Sequence, residues 1–519
     1  MRSVILVIFS VLACTANSAP NFTFSNPPGP YSVGLHIVKQ VDQSRAFNDR
    51  VDLITGESPK GPTARPIQSL VWYPAQAGGT PVTYLDYMRI AASEGAINMT
   101  DAQVDSTLNE NLVDLTKTWG AAQMHEETAH PMWAVQDAKA KPGKFPLVVY
   151  APSFSHSAAE NVDMCEFLAS HGYVVIAIPS MGAHSRAMTA DLEGIEAQAL
   201  DIEYAIGYAQ SLPEVDTAHI AVAGFSYGGI SNVFAAAKDS RITALVSLDG
   251  AVRYETNLIN GGKGAAKYVN PAQMTVPLLY VASQPSSIED LAKEKVDTSW
   301  SALDEMKYAD VYKVTMQPMM HIDFGSHNLR FVADATPGDY SRQEVSLAHS
   351  WMVRYVGQFL DAYLKNDAAA SAFINNPPAK NAVPLHMLTI DVHRAQAVPA
   401  NRESFATELG KRGFEHASVI YQELHKKNPD FQLSTDDVTG WGYQLLQMQK
   451  TRKAIAIFAL GASIYPENWN TYDSLAEAYE QNGDKILAIK NYQHSLQLNP
   501  QNDNAIQHLK GLGTVLSNK

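Results

Sequence analysis

The stretch that most restricts the fold is Gly224-Phe225-Ser226-Tyr227-Gly228-Gly229. It follows an apolar run at 220–223 and precedes 230–237, which reads as a helix. A strand passing through G-x-S-x-G into a helix lifts the serine above a sheet on a tight, strained turn. Gly224 and Gly228 are needed because a Cβ at either place would strike the neighbouring strand or helix. Such an elbow needs partners at adjacent strand ends: a base, an acid, and two backbone N–H groups for an oxyanion.

The surrounding chain has the matching pattern. Apolar β-rich runs occur at 147–150, 173–178, 220–223, 244–248, 278–281 and 311–316, with helical stretches between most of them. Continuous apolar strands alternating with helices imply a mostly parallel sheet covered on both faces, and with the elbow an α/β-hydrolase fold. Upstream, 33–38 and 70–73 read as edge strands. Between them and the main sheet, 76–140 carries helical stretches at 84–94 and 101–116, an inserted or covering segment. The strand pattern stops near 360, and Asn375-Asn376-Pro377-Pro378 opens a linker. The expected division is a targeting segment at 1–18, a catalytic domain at 19–375, a linker at 376–400 and a helical domain at 401–519.

The helical domain is periodic. Pro429, Pro466 and Pro500 close successive helix pairs. Twelve residues before each stands Ala417, Ala454 or Ala488, and eight before each stands Tyr421, Phe458 or Tyr492. A small residue followed by a large one four residues later, with a closing proline, resembles the tetratricopeptide repeat. That resemblance implies a surface for a protein partner.

The first residues read as an export signal. Arg2 precedes the apolar run 4–12, which is too short to span a bilayer, and small residues follow. Cleavage after Ser18 fits Ala16 and Ser18. Val11-Leu12-Ala13-Cys14 also resembles a lipobox, so anchoring through an acylated Cys14 is the alternative. No other stretch is long and apolar enough to cross a membrane. The only other cysteine is Cys165, in a helical pattern, where a small buried hydrophobe is expected. With 53 acidic against 39 basic residues the formal charge is −14, which argues against nucleic acid.

For the elbow's partners, His321 follows the run 311–316 and is the expected base; His327 and His349 compete with it. Asp249, at the tip of 244–248, is the expected acid, with Glu289 and Asp290 as the later alternative. The oxyanion N–H groups are expected from Tyr227 and, on the loop after 147–150, from Phe154. His156, His184 and Arg186 are candidates for substrate contact; for His184 and Arg186 a surface salt bridge is the alternative. His125-Glu126-Glu127-Thr128-Ala129-His130 lacks the four-residue histidine spacing of a zinc helix and reads as a solvated helix end.

Ser226, Asp249 twenty-three residues on, and His321-Ile322-Asp323-Phe324 together resemble the platelet-activating-factor acetylhydrolase group, whose bacterial members are described as dienelactone-hydrolase-like. Trp72-Tyr73-Pro74, Phe145-Pro146-Leu147-Val148-Val149-Tyr150 and Leu168-Ala169-Ser170-His171-Gly172-Tyr173 extend the likeness over about 31–365. The resemblance implies a small-molecule ester as substrate, short-acyl or phospholipid-like, with no metal or other cofactor. A serine peptidase or amidase on the same fold is the alternative, and a repeat-mediated interaction protein with an inert core is another.

Overall fold

The computed structural model describes residues 21–47, 56–57, 63–96, 98–253, 256–259, 266–284, 293, 298–331 and 340–514. The expected targeting segment, Cys14, Glu289 and Asp290 lie outside them. The chain divides into two compact units, 1–396 and 397–519.

The first unit is built on one ten-stranded sheet of order β10-β9-β8-β7-β6-β4-β5-β2-β1-β3. Its centre is parallel: β5 (Val174–Ala177), β4 (Phe145–Ala151), β6 (Val215–Phe225), β7 (Ile242–Leu248), β8 (Leu278–Ala282) and β9 (Val311–Met316). Antiparallel strands extend both sides. β2 (Ala64–Ala75) pairs with β5, and β1 (Ser32–Ala46) pairs with β2 and, in parallel, with β3 (Ala134–Gln136). The strands lie where the apolar runs placed them, because a strand buried on both faces reads as an unbroken apolar run.

β10 (Leu388–His393) corrects the expected linker. It pairs antiparallel with β9 from Leu388↔Met316 to His393↔Val311. Leu388, Ile390 and Val392 alternate with Thr389, Asp391 and His393. That period of two suits an edge strand with one wet face, whereas the prolines at 377 and 378 only punctuate the chain before it.

Strand periodicity divides the interior into two cores. Val148, Tyr150, Ala221, Ala223 and Val246 face one cluster with α4 (Val162–Ser170) and the helix Arg342–Leu364. Their neighbours Leu147, Val149, Ile220, Val222 and Leu245 face the other, with α5 (Leu192–Ala209) and α6 (Tyr227–Lys238). Cys165 is a buried free thiol within the first cluster, its pKa pushed well up by burial.

The segment before β4 forms α1 (Tyr84–Ala92), α2 (Asp101–Trp119) and α3 (Ala121–Thr128). Thr83 with Asp86 and Thr100 with Gln103 make capping boxes that fix where α1 and α2 begin. Tyr84, Tyr87 and Met88 of α1 and Val104 and Leu108 of α2 join the first core. Glu127 departs from the expected solvated helix end. It is buried, 3.3 Å from Arg330, whose guanidinium also lies 2.8 Å from Asp163.

The second unit holds seven helices among its described residues: Arg402–Arg412, Ala417–Lys427, Thr435–Gln447, Thr451–Ile464, Trp469–Gln481, Lys485–Leu498 and Asp503–Gly511. Ala417, Ala454 and Ala488 are buried on the second helix of successive pairs. A Cβ on Gly442 would meet the Phe458 ring at 2.3 Å, so the close approach of those two helices needs glycine there.

Candidate active site

Ser226 sits between the end of β6 and the first turn of α6 at φ 54°, ψ −114°. The close contacts around it explain the glycines. A Cβ on Gly224 would lie 2.4 Å from the Gly228 carbonyl, and one on Gly228 only 2.0 Å from the Ala151 oxygen. Ser226 N–H donates to the Leu248 carbonyl at 3.0 Å, which ties the turn to the tip of β7.

Asp249 follows directly at that tip, at φ 42°. Its N–H donates to the Val281 carbonyl at 2.6 Å, and its Oδ1 accepts from Ser283 N–H at 2.9 Å. Oδ2 is left for His321 Nδ1, 2.7 Å away. His321 Nε2 lies 3.0 Å from Ser226 Oγ. His321 opens a short 3-10 turn, His321–Phe324, just after β9, and its ring packs 5.1 Å from Phe225. The turn is anchored from below: Asp323 Oδ2 accepts from Met320 N–H at 2.6 Å, and buried His349 lies with Nδ1 3.0 Å from the Asp323 carbonyl.

The two other histidines considered as base stand elsewhere. His327 Nδ1 is 2.7 Å from the Tyr84 hydroxyl, and burial, helped by nearby His156 and Arg330, lowers its pKa to about 4. His349 is likewise lowered to about 4 by burial.

The loop after β4 comes alongside the serine turn. The Phe154 ring packs edge-on against Tyr227 at 5.2 Å between centroids. Ser155 adopts φ 58°. Three non-glycine residues of this small region, Ser155, Ser226 and Asp249, thus hold positive φ, a conformation that persists only where the surroundings enforce it.

Sheet backbone bonds hold Ser226 and Asp249, and two buried carboxyl groups, both missed by the sequence reading, hold the loop on either side of Ser155. Glu160 accepts from Ser153 N–H at 2.9 Å, from the Tyr150 hydroxyl at 3.0 Å and from Ser153 Oγ. Burial raises its pKa. Glu94, just after α1, accepts from Ser157 Oγ and Ala158 N–H, each at 2.9 Å, and its pKa is raised by burial to about 7. The only signal for Glu160 was a lone glutamate in a run of small and apolar residues; Glu94 gave none.

Of the substrate-contact candidates, Arg186 is committed to the scaffold. It donates to the Ser180 carbonyl at 2.6 Å and to Glu94 at 3.2 Å, and reaches the carbonyls of Ser155 and His156. His184 is exposed and 3.3 Å from Glu193. His156 Nδ1 is 2.9 Å from Ser153 Oγ. Among the described residues, no group of three or more His, Cys, Asp or Glu is placed to hold a metal ion, and no helix is long and apolar enough to cross a membrane.

Comparison with protein families matches residues 70–376 to the X-Pro dipeptidyl-peptidase (S15 family). Among solved structures, a ferulic acid esterase from Streptomyces cinnamoneus is similar, with 18% identity and a TM-score of 0.47. That match covers 72% of this chain and 99% of the esterase. Comparison with curated proteins gave no match.

Proposed function

Because the chain belongs to the X-Pro dipeptidyl-peptidase (S15) family, a hydrolase family, we propose that it is a serine hydrolase that cleaves carboxylic esters through an acyl-enzyme on Ser226. The observation that carries this reading is the unbroken line from Asp249 Oδ2 through His321 to Ser226 Oγ, at 2.7 and 3.0 Å.

In this mechanism Ser226 Oγ attacks the ester carbonyl while its proton passes to His321 Nε2. Asp249 holds the imidazole by Nδ1 and stabilises its charged form. The N–H groups of Tyr227 and Phe154 receive the oxyanion. The His321 proton then goes to the departing alcohol, and the acyl-enzyme forms. Water, deprotonated by His321, releases the acid and restores Ser226.

The family name favours a second reading, a dipeptidyl peptidase. Such a substrate brings a free ammonium, which needs a carboxylate beside the site. Glu94 and Glu160, described next to the loop after β4, are already bonded to Arg186, Ser153 and Tyr150. Among the described residues these two therefore offer an ammonium no free carboxylate, and the reading kept is the short-acyl or phospholipid-like ester that the sequence resemblance implies. The second unit is taken as a tetratricopeptide-type array for a protein partner, supported by the buried alanines and the Gly442–Phe458 contact. Export, with or without a lipid on Cys14, is inferred from residues 1–18 alone.

The test is labelling with a fluorophosphonate probe, followed by turnover of p-nitrophenyl acetate and of Ala-Pro-p-nitroanilide. Labelling and acetate turnover are expected, both lost in Ser226→Ala. Labelling that survives this change would remove Ser226 as nucleophile. Faster turnover of the anilide than of the ester would establish the peptidase reading.

A further inference from the structure

A cavity of about 380 Å³ lies between the covering helices and the loop after β4. Sites that enclose small molecules run from about 300 to 1,000 Å³. Its walls are apolar: Tyr87, Met88 and Ala91 of α1, and Leu108 and Leu115 of α2. Exposed Asn111 and Asp114 stand where it meets solvent. No lysine or arginine lines it.

The polar groups inside it are neutral or committed. Glu160 accepts hydrogen bonds from Ser153 and Tyr150. His327 is uncharged near neutral pH. The buried Tyr84 hydroxyl and His327 Nδ1 are paired with each other at 2.7 Å. His156 is paired with Ser153 Oγ and Ser157 Oγ with Glu94, so the cavity offers mainly apolar surface beside polar groups that already have partners. An entering carboxylate would meet Asp114 and Glu160 and no lysine or arginine.

Both segments flanking Ser226 continue into this wall. Phe154 packs on Tyr227, and His156, two residues later, lines the cavity, so the wall begins within about 7 Å of the Phe154 backbone. On the other side, His321 bonds Ser226 and the same short stretch ends at His327.

We propose that this cavity is the acyl pocket of the Ser226 site and takes the uncharged, apolar acyl chain of a medium-length carboxylic ester. The proposal rests on Ser226 being the nucleophile and adds to it the class of acyl group.

Two measurements on the full chain test it. The first is kcat/KM for p-nitrophenyl acetate, octanoate and decanoate in the native protein, Ala91→Phe and Leu115→Ala. A methylene moved out of water is worth about a factor of four. Ala91→Phe should therefore lower the octanoate-to-acetate ratio at least roughly tenfold. Leu115→Ala should raise the ratio for decanoate over octanoate, a gain that a misfolded protein cannot show. The second is calorimetric binding of p-nitrophenyl octanoate to Ser226→Ala with and without Ala91→Phe. If the native protein turns over no ester, yet binding is present and lost with Ala91→Phe, the esterase reading fails and the apolar pocket stands. If neither the ratios nor the binding respond to Ala91→Phe and Leu115→Ala, the pocket is refuted.

Discussion

Acid should destabilise this protein through His349, and the size of the effect follows from its surroundings. The ring is fully buried beside Phe22, 5.3 Å away, and its Nδ1–H donates to the Asp323 carbonyl. Nε2 has no hydrogen-bond partner. A proton there would be a buried N–H without an acceptor, near the Arg330 charge, and the Asp323 hydrogen bond and Asp163 offset that burial only in part. The folded-state pKa is accordingly lowered from 6.5 to about 4. Because that value lies below the unfolded one, the unfolded chain takes up the proton first as pH falls. Stability from this group is full above about 6.5 and is lost between about 6.5 and 4. At about 1.36 kcal/mol per unit, the loss reaches about 2.5 kcal/mol by pH 4.5. His349→Asn keeps an N–H for the Asp323 carbonyl and removes the titration. Urea unfolding of both proteins at about pH 7 and 4.5 measures the difference. The variant should lose about 2.5 kcal/mol less than the native protein between those two values, whatever constant penalty its smaller side chain adds. Parallel losses in the two proteins would refute the reasoning, since all other titrating groups are shared.

Three other changes have distinct signatures. Asp249→Asn should leave folding intact and lower kcat for p-nitrophenyl acetate by about 10⁴, the effect of losing the imidazole's orienting carboxylate; a loss under tenfold would move the acid elsewhere. Gly228→Ala puts a Cβ 2.0 Å from the Ala151 oxygen, so fluorophosphonate labelling should vanish and the urea midpoint fall. Arg330→Met leaves Glu127 and Asp163 buried without their cation and should cost about 3–5 kcal/mol in urea unfolding, whereas a neutral outcome would refute the stabilising role of this cluster.

The central strands were legible because burial on both faces writes an apolar run directly into the chain. The spatial approach of Asp249 and His321 to Ser226 followed from strand ends, since each lies immediately after a run that could be read. β10 was not legible in the same way. Its polar alternate residues and the preceding prolines resemble a linker, and only pairing with β9 distinguishes the two. Arg186 could be read either as a substrate contact or as a salt bridge, and only the fold separates the two: its acceptors are backbone carbonyls and Glu94, which is buried rather than on the surface. Glu94 and Glu160 were invisible for a related reason. A buried carboxyl is defined by the donors around it, and those donors come from loops whose fold no local pattern encodes.

Those two carboxyls also separate what the sheet does from what the covering segment does. Backbone bonds to Leu248 and Val281 hold Ser226 and Asp249 at the ends of β6 and β7, and His321 is held between them by its two ring nitrogens. The loop carrying Phe154 has no such support from strand pairing. Glu160 holds it from α4's side, and Glu94 holds its continuation from the end of α1. The same α1 supplies Tyr87, Met88 and Ala91 to the cavity. The segment of α1 and Glu94 therefore both holds residues 157–158 of this loop and shapes the space beside it. Changes in residues 84–94 should for that reason alter acyl preference and turnover together, while changes in the sheet should alter turnover alone.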